Sequence, residues 1–559
     1  MKNKNIIAAA SFMALTVLGG NVLTSCTGNF EELNTNNTQV DPNSLPFSAQ
    51  CAEPMNYCYP PHQNVFQFWT NLTIDLYGGY FETPHGNFTN CDMGENRGHS
   101  GGMYENYYLH IFNNTRRIIS SCETNDQNGL GAIMRIVQAV GTITATDAYG
   151  PLAYSSVISG ESESVYAFDS QQKIYEQVLD DLDKAITDIN AMTDVEKATL
   201  ATFDTWGGGD PQVWIQIANT LKLRVALRLS KRESEMSADG YDLKQIATQA
   251  AANTLAVRGQ DIVIKDQSNE LKRMFEWLDC GMNANLVTLM TGTNDPRLPL
   301  YITKNTEDIT NEKGEVTPAN TVYCGVRFAS GMASKGSDGS YGYKMSQWVG
   351  SYNTPLPIFK AAECYFLLAE AKLRWDIGSQ SVQSLYEQGI RLSIKNELDY
   401  KGSFAGITSI SDEEIDAYVN STAHQANYVD PGNSANNCDA VNLLSVKWDN
   451  NASKEDQLAR IHTQKYIALF PLSNEAWAEQ RRTGYPKFFV ALVNKSNGGV
   501  DTEEGVRRVI YSSNAYDTND EGVKGGIQLL NQENTSQKGK SGDVGGTHVW
   551  WDNANKGNF

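Results

Sequence analysis

The sequence predicts a mainly α chain, built from pairs of helices stacked as repeats and joined by long irregular loops. Three observations carry this. Apolar residues recur at helical spacing in paired segments. Gly and Pro close those segments. The stretches between them are long, polar and rich in Gly, Asn, Ser and aromatic residues.

The first predicted pair begins with residues 132–149, where Ile133, Ile136, Val137, Val140, Ile143 and Thr144 share one face. It stops at Tyr149-Gly150-Pro151, because Pro lacks the amide that a helix needs and Gly favours the closing turn. Its partner is residues 169–189, with Ile174, Val178, Leu182, Ile186 and Ile189 on one stripe and Asp169 as the expected N-cap. A second pair is 211–230, with Trp214, Ile217, Leu221, Val225 and Leu229, followed by 242–252. The third pair is 359–375 and 381–397. Here Ala362-Glu363-Cys364-Tyr365-Phe366-Leu367-Leu368-Ala369-Glu370-Ala371 mixes small and aromatic residues that let two helices approach closely, and Gly378 breaks the chain before the next helix. Tyr175-Glu176-Gln177 in the first pair matches Tyr386-Glu387-Gln388 in the third. Helix-turn-helix units of this kind are tetratricopeptide-like: they stack to share a core, and their surfaces commonly bind a protein partner. A plain helical domain whose small residues simply pack is the alternative. The intervening stretches 78–102, 291–357, 401–456 and 495–555 are long for a compact chain, and any ligand chemistry is expected there.

The N-terminus reads as a bacterial lipoprotein signal. Lys2 and Lys4 give a basic start, residues 6–20 an apolar run too short for a finished membrane span, and Leu23-Thr24-Ser25-Cys26 a lipobox in which Cys26 is acylated and becomes the new N-terminus. Residues 1–25 are thus the signal, 26–46 a polar tether rich in Asn and Thr, and 47–559 one helical domain with loop insertions. Acyl chains supply about 0.8 kcal/mol per buried CH₂, enough together for stable anchoring.

The chain carries 45 Lys and Arg against 65 Asp and Glu, a net charge of −20. Loss of residues 1–25 removes two lysines and no acid. This acidity excludes nucleic acid as a partner, which needs basic surface, and leaves the lipid anchor as the membrane link. No other apolar run reaches membrane-spanning length. Eight cysteines follow Cys26; none forms a CxxC or pairs with His at zinc spacing. Export permits disulfides, and Cys51 and Cys58 in a Pro-rich stretch are one candidate pair. Cys364 is expected to be a small buried apolar residue.

Several segments resemble, in order, the SusD/RagB family of outer-membrane nutrient-binding lipoproteins, in its SusD-like branch. Asn29-Phe30-Glu31-Glu32-Leu33-Asn34-Thr35-Asn36 is similar to the family's opening, with Asn37 where Pro is usual. Asp147-Ala148-Tyr149-Gly150-Pro151-Leu152-Ala153-Tyr154-Ser155 resembles its Tyr-Gly-Pro turn, with Ala153 for a second Pro. The segment from Ala362 to Ala371 resembles its Ala-Glu helix. Gln464-Lys465-Tyr466-Ile467-Ala468-Leu469-Phe470, then Glu475-Ala476-Trp477-Ala478-Glu479 and Arg481-Arg482-Thr483-Gly484-Tyr485-Pro486, form the most specific match. Arg507-Arg508-Val509-Ile510-Tyr511 and Val549-Trp550-Trp551-Asp552 close the chain as that branch does. The resemblance implies a SusD-like fold and a surface-exposed outer-membrane lipoprotein that acts as a lid on a SusC-like TonB-dependent transporter. Such a lid captures an oligosaccharide, or in some members a peptide, without catalysis, and the Cys26 anchor would hold one edge of it at the membrane while it opens. The matching segments read as structural, with Trp477, Trp550 and Trp551 in the core, so no ligand-binding residue is carried over.

Sugar capture requires aromatic faces for the ring and amides or carboxylates for its hydroxyls. The leading loop cluster is Tyr341, Tyr343, Trp348 and Tyr352, interleaved with Asn353, Gln347 and Lys344 and with the glycines Gly331, Gly336, Gly339, Gly342 and Gly350. A second is Tyr77, Tyr80, Phe81, His85, Asn87 and Phe88. The alternative is that these rings pack the loops onto the helices. Enzyme signals are thin, which leaves a lipid-anchored surface hydrolase as the reading from another class. No nucleophile elbow or His-Glu-x-x-His stretch occurs, and acidic pairs carry no information among 65 acids. Asp517-Thr518-Asn519-Asp520-Glu521-Gly522 fails as a calcium loop because Gln528 stands at the twelfth position. No metal or cofactor is expected.

Overall fold

A computed structural model describes residues 45–159 and 165–559. The signal 1–25, Cys26 and tether residues up to 44 lie outside the described residues. Among the described residues the helices of eight or more residues are α1 Phe47–Tyr57, α2 Arg97–Asn106, α3 Asn113–Thr124, α4 Asn128–Tyr149, α5 Gln171–Asn190, α6 Pro211–Arg228 and α7 Leu243–Ala251. There follow α8 Ala284–Thr293, α9 Ala361–Trp375, α10 Val382–Ala405, α11 Asp412–Val419, α12 Lys454–Leu469, α13 Ser473–Thr483 and α14 Ser513–Glu533. Two π-helical segments interrupt helical runs, Gln67–Ile74 and Tyr107–Phe112, the latter between α2 and α3. Strands are few and short: β1 Phe81–Glu82, β2 Ile262–Ile264, β3 Gly281–Met282, β4 Ile309–Thr310, β5 Val316–Thr317 and β6 Leu356–Phe359. They pair antiparallel as β1–β3, β2–β6 and β4–β5, with Phe81 opposite Met282 and Ile309 opposite Thr317. Ser48–Phe559 form one unit.

The three predicted pairs stack in sequence order. α4 packs on α5, α5 on α6, α6 on α7 and α9, and α9 on α10. A fourth pair, α12 and α13, extends the stack through α9–α12 contacts. This is the tetratricopeptide-like repeat frame. In α10 the apolar stripe Tyr386, Ile390 and Ile394 is buried against Phe366 and Ala369 of α9, each large apolar side chain contributing about 1.5–3 kcal/mol. Gly389 is what allows the approach: a Cβ there would lie 2.8 Å from Phe366 Cζ.

Local chemistry moves several boundaries. Ser170, not Asp169, caps α5 by accepting from Lys173 N. Asp169 instead accepts from the Ser155 amide at 2.6 Å and its hydroxyl at 2.8 Å, closing the segment after the Gly-Pro turn. Asp210 and Asp242 cap α6 and α7. α4 is long and apolar enough to cross a membrane, contrary to the expectation that no other apolar run reaches that length, but most of it is buried inside the protein. α14 occupies a stretch expected to be loop. Cys51 and Cys58 do not bridge. Cys51 lies inside α1 and Cys58 just past its end, and seven residues of helical rise separate them by about 10 Å, beyond disulfide reach. Cys364 is fully buried, as expected.

A cluster of buried charge lies where the helix pairs meet. Arg228 of α6 donates to Asp147 of α4, to Glu475 at 2.6 Å and to Glu479 at 2.9 Å. Arg224 forks onto Glu363 of α9 at 3.0 and 2.6 Å. Arg482 of α13 reaches Glu370 of α9 at 2.7 Å and Glu479 at 2.6 Å. Lys465 of α12 sits 3.4 Å from Glu363 and 3.3 Å from Glu479. Trp551 Nε1 and the Tyr175 hydroxyl both donate to Asp147. Burial alone would raise these carboxyls; Arg482 and His462 outweigh it at Glu370, and Arg482, Lys465 and Arg228 at Glu479, so both are held well below the usual range. Glu370, His462 and Glu479 are near enough to one another to hold an ion, but the Arg482 guanidinium already supplies the positive charge between the two carboxylates.

Truncating one member leaves its partners buried and unpaired. Arg228→Met is therefore expected to cost about 3–5 kcal/mol, whereas Lys524→Ala, which removes an exposed, solvent-screened ion pair with Asp520, should leave the unfolding midpoint nearly unchanged. Equal unfolding midpoints in denaturant for the two variants would refute the assignment.

A second buried group gives a pH test. Burial would raise Glu397, but Lys360 and Lys401 hold it down to about 2 from its ordinary 4.5. A depressed carboxyl stabilises the fold fully above 4.5, and that contribution is lost as pH falls towards 2. Glu397→Gln should flatten the decline of stability across this window, measured by unfolding at a series of pH values. An unchanged slope would count against the pairing.

Candidate binding cleft

The structure brings the two predicted aromatic loops together. The Gly86 amide donates to Ala333 O at 3.1 Å, the Lys335 amide to Asn87 Oδ1 at 2.9 Å, and the Gly331 amide to Asp92 Oδ1 at 3.3 Å. Asp279 ties the same junction: Gln67 and Lys335 donate to it at 3.0 Å each, and His85 Nε2 lies 3.0 Å away. Burial would raise Asp279, but His85 and Lys335 prevail and lower it. A third segment joins through Arg327, which donates to Asn436 O at 2.8 Å and Val490 O at 2.7 Å.

Within this assembly three of the seven expected ligand contacts turn inward. Trp348 is 5 % exposed and its strand-like bridge to Ile302 fixes it under the loop. Gly350 covers its ring, where a Cβ would stand 2.2 Å from Cζ2. Tyr80 is 0 % and His85 2 % exposed; the Tyr80 hydroxyl donates to Tyr466 O. These three side chains offer no face to a ligand at the surface, because the loops use them to pack onto α12 and Asp279. Tyr341 is half-buried, its hydroxyl 2.9 Å from Asp430 Oδ2 and its ring against Gly432. Tyr343 and Tyr352 are half-buried and Asn353 is exposed. Tyr352 donates to Glu276 at 2.6 Å.

The open concavity lies beside this junction, between α13 and the loops on either side of it. It is a cleft of about 350 Å³, within the size range of ligand sites. Its floor is Trp477 and Tyr77, with ring centroids 5.3 Å apart. Phe328 and Phe488, both half-buried, form its walls. Gln480 and Lys487 line it with side chains that make no hydrogen bond among the described residues. Glu504 also lines it, with its buried Oε2 facing His548 Nε2 at 3.6 Å. The arrangement combines aromatic faces, an amide and a cation, groups that suit a saccharide. Tyr77 was in the second sequence cluster. Phe328, Gln480, Lys487, Phe488 and Glu504 were not foreseen. A signal existed in the apolar run Phe488-Phe489-Val490-Ala491-Leu492-Val493 just after Pro486, which leaves Val490 and Leu492 exposed.

Residues 28–552 match the SusD-like family, described as Susd and RagB outer membrane lipoprotein. The chain belongs to the SusD/RagB family. No curated protein matches it. Among solved structures, a chitin-binding SusD homologue from Flavobacterium johnsoniae is 29% identical, with a TM-score of 0.77 over 92% of this chain and 99% of that one. A SusD homologue from Bacteroides vulgatus is 26% identical, with a TM-score of 0.77 over 92% and 98%. One from Bacteroides ovatus is 28% identical, with a TM-score of 0.76 over 90% and 98%. In this SusD-like chain the family-like segments have a common physical role. Asp147, Glu363, Glu370, Lys465, Glu475, Glu479, Arg482 and Trp551 all belong to the buried charge cluster.

Proposed function

We propose that this SusD-like protein is a non-catalytic nutrient-capture lipoprotein, anchored through Cys26 on the outer face of the outer membrane. It takes an oligosaccharide into the Phe328–Phe488 cleft and passes it to a SusC-like TonB-dependent transporter. The observation that carries the glycan reading is the cleft itself: aromatic walls with an unused amide and an unused ammonium. Likeness to a chitin-binding SusD homologue supports it and makes chitin oligosaccharides the first ligands to try. Signal 1–25 and tether 26–46 place the remainder of the chain above the membrane. Tyr343, Tyr352 and Asn353 keep accessible surface and are proposed as outlying contacts.

In calorimetric titration of the mature chain with a glycan panel, Phe328→Ala and Gln480→Ala should each weaken binding at least tenfold, about 1.4 kcal/mol, with unchanged circular dichroism. Full affinity in both variants would move the site elsewhere. Binding of oligopeptides alone would turn the reading to peptide capture, and recovery of cleaved ligand would turn it to a surface hydrolase.

Cys26→Ala should abolish surface labelling of intact cells and cripple uptake, and the transporter should no longer co-purify from mild detergent. Normal uptake by that variant would overturn the anchoring role.

A further inference from the structure

A second concavity, sharing no residue with the first, lies along α2, the π-helical segment and α3, opposite α14. It measures about 490 Å³. Tyr104, Tyr108 and Tyr166 line it, with Leu109 exposed at its mouth. Its far wall is fixed. Asn519 departs from helical geometry, with φ −153° and ψ 51°, and clasps the Tyr166 backbone through both amide atoms at 3.1 and 2.7 Å. On the near wall the Tyr108 hydroxyl is committed to Ala153 O at 3.0 Å, which orients its ring. The π-helical turn adds a residue to the helical run and re-aims this face, a device common at functional sites.

Arg116 is the notable member. Among the described residues it is the one arginine that makes no hydrogen bond and no ion pair, and its Nε is buried without a partner. Its neighbours are all committed: Arg117 donates to Gln50, and Arg135 pairs with Glu123 and Asp181. A guanidinium left unpaired in a cleft of an acidic protein awaits a planar anion, for which its fork is matched. Asn113 and Asn514 line the same cleft with side-chain amides that no described group uses. Glu105 sits at the other end, eleven residues away along the helical run, about 16 Å by helical rise and beyond a Debye length at physiological salt. A carboxylate at Arg116 is therefore shielded from it.

We infer that this cleft is a second saccharide site, selective for a sugar that carries a carboxylate. Arg116 takes the carboxylate by two parallel N–H donations. The sugar rings lie against Tyr108 and Tyr166, and Asn113 and Asn514 meet the hydroxyls. The inference rests on the reading of the chain as a glycan-capture protein, but it concerns different residues and a different ligand class.

Trimers of galacturonic and of glucuronic acid, titrated into the mature chain against their neutral galactose and glucose counterparts, test it. At least one acidic trimer should bind, at least tenfold tighter than its neutral counterpart and more weakly at high salt. Arg116→Gln should remove at least tenfold of that affinity, Arg116→Lys should restore part, and Phe328→Ala should leave it unchanged. Arg116→Gln should also keep the wild-type unfolding midpoint, since no native pair is lost. Equal binding of acidic and neutral trimers, or undiminished binding by Arg116→Gln, would overturn the inference. So would no binding of either acidic trimer while the Phe328 cleft holds its own ligand, an outcome that leaves the first reading intact.

Discussion

The fold depends on keeping one set of buried charges paired. Five carboxylates, from Asp147, Glu363, Glu370, Glu475 and Glu479, face Arg224, Arg228, Lys465 and Arg482 with little access to water. Removing such ions from water costs several kcal/mol each unless every one finds its partner. Apolar stripes alone would let α13 slide along its neighbours at small cost. The charges forbid it: a slip by one turn would carry Glu475 and Glu479 about 5.4 Å away from Arg228 and strand three ions in the interior. The cluster thus selects a single register for four helix pairs, while apolar burial, as between α9 and α10, supplies the driving force.

With the frame so specified, the loops are free to carry chemistry. They are nonetheless not loose. Asp279, Asp92 and Arg327 each join two or more segments that are distant in sequence. The first cleft borrows its floor from the frame, through Trp477 of α13, and its walls from loop residues Phe328 and Phe488. This division sets loop side chains over a base that the helical frame supplies.

Sequence patterning revealed the frame more fully than the site. Period and punctuation disclosed α4 through α7, α9 and α10 because each buries one continuous stripe, and errors at their ends came from competing caps, as at Asp169 and Ser170. α14 escaped notice since Gly522, Gly525, Gly526 and a run of Asp, Asn and Thr mask helical preference; it forms because it packs against α2. Aromatic richness pointed to loops that border the first cleft, but several of the rings it singled out face inward. Trp348 and Tyr80 look like ligand platforms in a linear sequence, yet a long loop needs its own core, and these rings provide it. Arg116 stood out only once every other arginine had been seen with a partner. Glu363 and Glu370 were more legible than they first looked: acids spaced a turn multiple apart within an Ala-rich apolar helix must meet buried cations.

The charge cluster also governs the order in which this molecule can come into being. Trp551 closes on Asp147 across 404 residues, and Arg228 waits for α13 some 250 positions downstream. No ribosome-bound or half-exported chain can complete that arrangement. Until its last segment arrives, the polypeptide keeps unsatisfied ions that hold it short of the native state, and a chain short of the native state is one that a secretion channel can still thread. In a chain exported as proposed, the same pairing therefore delays completion of the fold until translocation is over.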